Sequence, residues 1–198
     1  MKIAVISDTH IPHKHERLTD RVLESLEQVD LIIHCGDIVA PEVLQELARY
    51  APVEAVLGNH DEEYFGTSQP EKKVLELGGF RIGIIHGDRL DGVHMNKTLQ
   101  LEYLYRILCE PFIHEPGLDC ILFGHGHKPM LDFVRVEFQP PGLVRKNLKK
   151  EVMLFNPGKA TRTRNVASMG FLHIGEDSIN AEVKVFTYRR DYEIMASD

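Results

Sequence analysis

The chain has 198 residues, a formal net charge of −7, 43% hydrophobic residues and eleven histidines. The acidic balance argues against a general nucleic-acid surface, which is normally basic on at least one face. The three cysteines, Cys35, Cys109 and Cys120, are odd in number and lie in apolar runs, which argues against a disulfide framework or a cysteine zinc site.

The amino terminus and the apolar runs bear on location. Met1-Lys2 leads into a short apolar run that turns polar too soon for a signal peptide, and no apolar run approaches the roughly 20 residues that cross a bilayer. We therefore expect a cytoplasmic protein with reduced thiols and no membrane association. The length and the even spread of charge favour a single domain over residues 1–198.

The first part of the chain alternates strand and helix patterns. Residues 2–7, 31–35 and 53–57 have β-like composition, and residues 18–28 and 41–49 have apolar side chains at helical spacing. Pro41 stands where a first helical turn accepts proline. This β-α-β-α-β order predicts parallel strands whose carboxyl ends share one edge of a sheet, where open α/β sheets hold their sites.

The rest of the chain is richer in strand patterns. Gly78-Gly79 joins two β runs and predicts a hairpin, and a helix over 97–109 is expected to end before Pro111. Further strands are predicted at 119–123, 131–138, 152–155, 170–174 and 181–186. The basic, proline-containing segment 139–150 predicts an exposed loop. We therefore expect an α/β fold with mixed sheets and helices on the outside.

Polar side chains of a similar kind follow five of the predicted strands. Aspartate, asparagine or histidine stands after each of them, often beside a glycine that lets the backbone come close. These candidate ligands are Asp8, His10, Asp37, Asn59, His86, His125 and His127. Mixed oxygen and nitrogen donors suit Mn, Fe, Zn, Ni or Co ions better than calcium, which takes an all-oxygen cage.

Seven candidate ligands are too many for one ion, but they serve two ions if one carboxylate is shared. Two ions about 3.5–4 Å apart hydrolyse phosphate esters because they lower the pKa of a trapped water and hold the charge of the in-line transition state. The pattern therefore predicts metal-dependent hydrolysis of phosphate esters.

Each motif taken alone also has an interpretation without function. Asp8 could be a turn or cap residue, Asp37 a turn residue and His86 a packed core histidine. His34, in the strand before Asp37, is either a support for the ligands or a plain buried histidine. Five histidines are expected on the surface or in loops: His13, His15, His94, His114 and His173. Basic residues are expected to form a solvated face or, alternatively, to steer an anionic substrate: Arg145, Lys146, Lys149, Lys150, Arg162 and Arg164.

Together the motifs carry a family resemblance. "DTH", "GDIV", "GNHD", "IHGD" and "GHGH", in this order over residues 8–127, resemble those of the calcineurin-like metallophosphoesterases, and the short chain resembles the small phosphodiesterases of the YfcE type. "NPGK" at 156–159 resembles the NPGS element of that subgroup, with Lys159 where serine is usual. The resemblance implies a four-layer αββα sandwich with two central mixed β-sheets flanked by helices.

The resemblance also implies roles for individual residues. The positions implied for the first ion are Asp8, His10 and His127, and those implied for the second are Asn59, His86 and His125, with Asp37 bridging. His60 is then expected to assist the leaving oxygen, with Asp61 orienting its imidazole and a metal-bridging hydroxide as nucleophile. General acid help of this kind contributes about 10² to 10⁴ in rate.

The implied function is a metal-dependent phosphodiesterase that acts on a small phosphodiester or another phosphorylated substrate. Two divalent transition-metal ions are expected, Mn²⁺ first, with Ni²⁺, Fe, Zn²⁺ or Co²⁺ as alternatives. A phosphomonoesterase or protein phosphatase is a second interpretation, although such phosphatases usually resemble "GDxxDRG" and "GNHE" rather than "GDIV" and "GNHD". A non-catalytic scaffold like the retromer subunit that shares the fold is a third. Homo-oligomerisation is left open.

Overall fold

A computed structural model of the chain describes residues 1–14, 17–66, 68–88, 104–105, 107–139 and 148–188. Within these ranges the strands are β1 (Lys2–Ile6), β2 (Leu31–His34), β3 (Val53–Ala55), β4 (Lys72–Leu77), β5 (Phe80–Ile85), β6 (Cys120–Leu122), β7 (Met130–Phe138), β8 (Leu148–Asn156), β9 (Val166–Ile174) and β10 (Ile179–Thr187). The helices are α1 (Asp20–Ser25), α2 (Pro41–Leu47) and α3 (Glu62–Phe65), and a 3₁₀ turn covers Glu110–Phe112. Of the helices in the described ranges, none combines the length and the apolar character that crossing a membrane requires.

The strands form two mixed sheets of five. In the first, ordered β10-β9-β1-β2-β3, strands β1, β2 and β3 are parallel, β9 runs antiparallel to β1, and β10 runs antiparallel to β9. In the second, ordered β4-β5-β6-β8-β7, strands β5, β6 and β8 are parallel and the edge strands β4 and β7 are antiparallel to their neighbours. The parallel strands of each sheet therefore send their carboxyl ends to one edge.

Three apolar clusters separate the layers. Helices α1 and α2 pack through Val22 and Leu47 into a cluster with one face of the first sheet. The cluster that holds Ile3 and Phe155 lies between the two sheets. Phe112 belongs to a cluster on the far face of the second sheet, beside residues 107–109. The predicted αββα sandwich with two mixed sheets is confirmed, and its described helices are few and short.

Two predicted segments differ from the structure or lie partly outside it. The prediction of an exposed loop over 139–150 is wrong for 148–150, because these residues begin β8, where Lys149 pairs with Glu137 of β7. The first residues of β8 include exposed, charged side chains, so their sequence has the polarity of a loop although they form a strand. Residues 140–147 lie outside the described ranges. So does most of the helix predicted over 97–109, of which 104–105 and 107–109 are helical.

Candidate metal centre

The candidate ligands lie on the loops that follow β1, β2, β3, β5 and β6. The backbone N–H of Asp8 donates to the Gly36 carbonyl at 3.0 Å, and that of Gly124 donates to the His86 carbonyl at 3.0 Å. The N–H of His125 donates to the Asp8 carboxylate at 3.1 Å. Since Asp8 follows a strand of the first sheet and His125 a strand of the second, the site forms where the two sheet edges meet.

Two glycines allow the loops to come this close. A Cβ on Gly36, whose φ is 93°, would lie 2.7 Å from His86 Nδ1. A Cβ on Gly58 would collide with the carboxylate of Asp37. Any larger residue at either position would push a candidate ligand aside, which explains why glycine precedes the ligand in "GD" and "GN".

Five of the seven candidate ligands have a left-handed backbone. Their φ angles are 56° for Asp8, 49° for His10, 56° for Asp37, 59° for His125 and 54° for His127. This conformation costs a non-glycine residue on the order of 1 kcal/mol, and such residues concentrate at functional sites. Five of the converging side chains therefore stand on strained backbone, although four other residues of the described chain, Gln28, Val39, Arg164 and Asn165, have positive φ as well.

The first group of converging side chains is Asp8, His10, Asp37 and His127, whose ligand atoms all lie within 4.8 Å of one another. His10 Nε2 lies 3.2 Å from His127 Nε2 and 3.4 Å from Asp37 Oδ2. His127 Nε2 lies 3.2 Å from Asp8 Oδ1. Asp8, His10 and Asp37 are buried, whereas the His127 side chain is 41% exposed, so solvent reaches this group at His127.

The second group is Asp37, His86 and His125. His86 Nε2 lies 3.3 Å from Asp37 Oδ1, and the rings of His86 and His125 meet edge to face with their centroids 5.2 Å apart. Asp37 is common to both groups: its Oδ2 faces His10 and its Oδ1 faces His86. A carboxylate placed in this way can bridge two cations.

One hydrogen bond fixes the orientation of His86. Its Nδ1 donates to the Cys35 carbonyl at 2.7 Å, which points Nε2 into the second group. Among the described residues, the buried atoms Asp8 Oδ1 and His86 Nε2 have no hydrogen-bond partner of good geometry, although each lies near a charged neighbour. Buried polar atoms in this state are rare, and a cation at each group would satisfy them.

The electrostatics keep most of these groups ready for a cation. Burial would raise the pKa of Asp37, but the close contact and the positive charge of His86 hold it well below its usual range. Burial lowers the pKa of His10 to about 3, so this imidazole is neutral at neutral pH. His86 differs: burial would lower its pKa, but the close contact and the charge of Asp37 raise it to about 9. A cation at the second group must therefore displace a proton from His86.

Asn59 and His60 lie at the mouth of the site. Asn59 is exposed and, with His86, lines a cleft of about 1110 Å³. His60 is also exposed, its ring centroid is 5.2 Å from that of His10, and its backbone N–H donates to Asp37 Oδ1 at 3.1 Å. His60 therefore borders the first group from the solvent side.

Asp61 makes contacts that the sequence does not reveal. Its side chain is buried, and its two oxygens accept hydrogen bonds from the backbone N–H groups of Val39 and Gly58, both at 2.7 Å. The carboxylate thereby ties the loop after β2 to the loop after β3. An orienting action of Asp61 on His60 stays a prediction.

The remaining histidines have other partners. His34 is buried, its Nδ1 accepts from the Gly36 N–H, and its Nε2 lies 3.2 Å from the Thr9 hydroxyl. That hydroxyl is 3.3 Å from the Asp37 carbonyl, so His34 supports the Asp37 loop from below. His13, His114 and His173 pair respectively with Tyr64, Gln139 and Glu182. His15 and His94 lie outside the described residues. The three cysteines are buried and unbridged.

Sequence reasoning assigned no role to the residues around the "NPGK" segment. Asn156 is buried, and its side-chain amide donates to the Gly124 carbonyl at 2.6 Å, so it holds the loop that carries His125 and His127. The Thr161 hydroxyl donates to the Thr9 carbonyl at 3.1 Å, beneath the Asp8 loop. The signal that could have located these residues is the "NPGK" motif itself, which begins with the last residue of β8.

The residues fit divalent cations. Each group offers carboxylate oxygen and imidazole nitrogen, the mixed donor set that suits a transition metal. The first group could hold one cation and the second, with Asn59 at its edge, another. Shared use of Asp37 would place the two cations side by side.

Comparison with known proteins agrees with this geometry. The sequence profile of the calcineurin-like phosphoesterase superfamily domain matches residues 1–177. A probable metallophosphoesterase of Methanothermobacter thermautotrophicus is 35% identical over 184 residues, which cover 92% of this chain and 91% of that protein.

Solved structures share the fold. Vps29 of Entamoeba histolytica, determined as a complex with Zn²⁺, superposes with a TM-score of 0.62 at 22% identity and covers 94% of this chain and 100% of its own. A predicted phosphoesterase of Streptococcus pneumoniae superposes with a TM-score of 0.58 at 21% identity, over 94% of this chain and 97% of its own. The sequence match and the convergent ligand groups together lead to one assignment: the chain belongs to the calcineurin-like phosphoesterase superfamily and is a metal-dependent phosphoesterase.

Proposed function

We propose that the protein is a phosphodiesterase that works with two divalent transition-metal ions, of which Mn²⁺ is the first choice. The observation that carries this proposal is the position of Asp37, whose two carboxylate oxygens face two separate groups of imidazoles. Two neighbouring ions supply an activated water at neutral pH and hold the charge of the in-line transition state. Side chains of the protein would perform the remaining tasks, which are holding the ions and transferring a proton to the leaving oxygen.

The proposed ligands divide as the two groups divide. Asp8, His10 and His127 would hold one ion, and Asn59, His86 and His125 would hold the other, with Asp37 shared. The carboxylates are acceptors only, and burial makes their attraction for a cation stronger than in water. The hydrogen bond from His86 Nδ1 to the Cys35 carbonyl supports the proposal because it aims Nε2 at Asp37.

His60 is the proposed general acid. Its imidazole is exposed at the rim of the first group, where it can meet the leaving oxygen of a substrate whose phosphorus lies over Asp37. It would stabilise the developing negative charge and transfer a proton to that oxygen as the ester bond breaks. The backbone N–H of His60 donates to Asp37, so the acid is positioned by the carboxylate that is common to both ligand groups.

The test compares substrates and metals in one assay. The purified protein is stripped of metal, reloaded with Mn²⁺, Ni²⁺, Zn²⁺ or Mg²⁺, and assayed with bis-p-nitrophenyl phosphate and p-nitrophenyl phosphate. We expect metal-dependent hydrolysis, with the diester preferred in kcat/KM. Preference for the monoester would replace the phosphodiesterase proposal with a phosphomonoesterase or protein phosphatase.

A non-catalytic scaffold is the alternative function. The likeness to Vps29 that suggests it is one of fold alone. The convergence of carboxylate and imidazole atoms in two groups, with the exposed His60 beside the first, supports an enzyme. Hydrolysis after reloading decides between the two, because Vps29 of Entamoeba histolytica was itself determined with Zn²⁺. No hydrolysis of either ester with any of the four metals would support the scaffold.

A further inference from the structure

Lys159 directly follows the strand β8 and the turn at Gly158, and its backbone lies against the loop after β1. The N–H of Ala160 donates to the Ser7 carbonyl at 3.1 Å. The Lys159 carbonyl accepts from the N–H of Ser168 at 2.8 Å. These bonds fix the chain on both sides of the Lys159 side chain beside the first ligand group.

The ammonium of Lys159 has no partner among the described residues. The residue is only 7% exposed, and within the described part of the chain its ammonium has no hydrogen-bond acceptor and no ion-pair partner. Two other lysines with restricted exposure are paired: Lys73 with Glu54 and Lys150 with Asp119, each at 2.6 Å. Lys159 Nζ is not among the buried unpaired atoms of the described residues, so its stem is buried while solvent, or an anion in place of that solvent, can reach the ammonium.

The Lys159 ammonium interacts electrostatically with the metal centre. Burial and the neighbouring Lys14 lower the pKa of Lys159, and the attraction of Asp8 and Asp37 opposes part of this effect. Once two cations bind to the same carboxylates, that negative charge is neutralised and Lys159 faces a positive centre. An anion that binds over the cations would then be the counter-charge for Lys159.

We propose that Lys159 is a substrate-binding residue whose ammonium contacts a non-bridging oxygen of the substrate's phosphoryl group. This inference rests on the proposed phosphoesterase function, because it assigns a partner to the same substrate. In the related "NPGS" element a serine would offer a neutral hydroxyl at this position, so the present chain adds a positive charge. A dianionic phosphate gains more from that charge than a monoanionic diester does.

The experiment measures binding of inorganic phosphate to the full chain loaded with Mn²⁺, by calorimetry and as competitive inhibition. Replacement of Lys159 by methionine keeps most of the side-chain volume and removes the charge. We expect Lys159→Met to weaken phosphate binding roughly tenfold or more, the usual loss for a hydrogen bond to a charged group. Lys159→Arg should restore most of the affinity.

The control is Lys149→Met, which removes an exposed lysine at the far end of β8 and should bind phosphate like the parent. Metal content should not fall in Lys159→Met, because loss of a nearby positive charge cannot weaken binding of a cation. A drop in metal content would assign Lys159 to the stability of the centre and overturn the inference. Unchanged phosphate affinity in Lys159→Met would overturn it as well, and so would failure of the parent to bind phosphate.

These outcomes are separate from the fate of the proposed function. Phosphate binding needs no turnover, so the comparison of Lys159→Met with the parent decides the role of Lys159 even if no ester is hydrolysed. Conversely, if the enzyme is active but its phosphate affinity is the same with and without Lys159, the proposed function stands and this inference is overturned. Folding of each variant is checked by its circular dichroism spectrum, and Lys159→Arg, which keeps the charge, serves as the second variant.

Discussion

The two ligand groups of the centre differ in how they are prepared for a cation. In the first group, burial lowers the pKa of His10 to about 3, so the imidazole is already neutral. In the second, the attraction of Asp37 outweighs burial and raises the pKa of His86 to about 9, so the imidazole is protonated at neutral pH. The same carboxylate thus bonds a proton-bearing ring on one side and faces a neutral ring on the other.

This difference shows how one carboxylate can take part in two cation sites, of which only the second requires that a histidine lose its proton. The proton on His86 compensates for the second cation in the metal-free protein, because it neutralises part of the charge that Asp8 and Asp37 bring into a buried site. In the first group, His10 carries no proton that a cation would have to displace. The five tests that follow begin with the shared carboxylate and end with the framework beneath both groups.

Removal of the shared carboxylate should have the largest effect. In Asp37→Asn both groups lose their common charged ligand, so we expect metal content to fall from two ions per chain toward none. Hydrolysis of bis-p-nitrophenyl phosphate should fall by about 10³ or more, because the ions supply several kcal/mol of transition-state stabilisation. Metal is measured by plasma mass spectrometry and activity by nitrophenolate release.

The matched control is Asp132→Asn, which removes an exposed carboxylate on the edge strand β7. It should keep both ions and the full rate. Two ions retained in Asp37→Asn would show that the groups do not depend on a shared residue, and the comparison between them would lose its basis.

Replacement of the rim histidine should spare both groups. In His60→Gln we expect two ions per chain, while hydrolysis of diesters with alkyl leaving groups slows by about 10² to 10⁴, the usual contribution of a general acid. The effect should be smaller for p-nitrophenyl esters, whose leaving oxygen needs little protonation. His114→Gln, which changes a histidine bonded to the Gln139 carbonyl, is the control. An equal loss for both kinds of ester would remove proton transfer from the role of His60.

The pH dependence of loading should separate the groups directly. Binding of the second ion displaces the proton of His86, so its affinity should rise by up to about tenfold per pH unit until the pH approaches the His86 pKa. The first ion should respond less, because His10 carries no proton in this range. Calorimetric titration with Mn²⁺ between about pH 6 and about pH 8 measures both steps. If the affinities of the two ions changed equally with pH, the proposed difference between the two ligand groups would be contradicted.

The same pKa has a consequence for the metal-free protein. A histidine whose pKa is raised by folding stabilises the fold fully below its ordinary value of 6.5, and this contribution is lost as the pH rises through about 9. Urea denaturation should therefore show that the free energy of unfolding declines over this window. In His86→Gln the decline should be absent.

The smallest effect is expected from the framework under both groups. In Asp61→Asn one of the two backbone N–H groups, of Val39 or Gly58, meets an amide NH₂ instead of an oxygen. We expect a loss of about 1–3 kcal/mol in the free energy of unfolding of the metal-free protein. Glu62→Gln, a change at the neighbouring exposed carboxylate, should cost almost nothing. Unchanged stability with slower hydrolysis would instead support the orienting role of Asp61 on His60.

Much of the fold could be predicted because the strands have clear periodicity. β1, β2 and β5 lie where their apolar runs predict them, and each is followed by its ligand. The sequence predicts β8 too short because its first residues are mostly charged. These residues form a strand through their pairing with β7. Such pairing is a tertiary contact, which local sequence does not encode.

The candidate site shows the same division. The positions of Asp8, Asp37 and His86 at strand ends follow from sequence order. The left-handed backbone at Asp8 and Asp37 and the isolation of Lys159 do not, since each depends on loops distant in sequence. Motifs therefore predict which residues gather, while the geometry of their surroundings requires coordinates.

The most direct test of the two-ion centre is anomalous X-ray diffraction from crystals grown with Mn²⁺. The account predicts two anomalous peaks roughly 3.5–4 Å apart, one on each side of the Asp37 carboxylate. A single peak, or peaks away from Asp37, would contradict it.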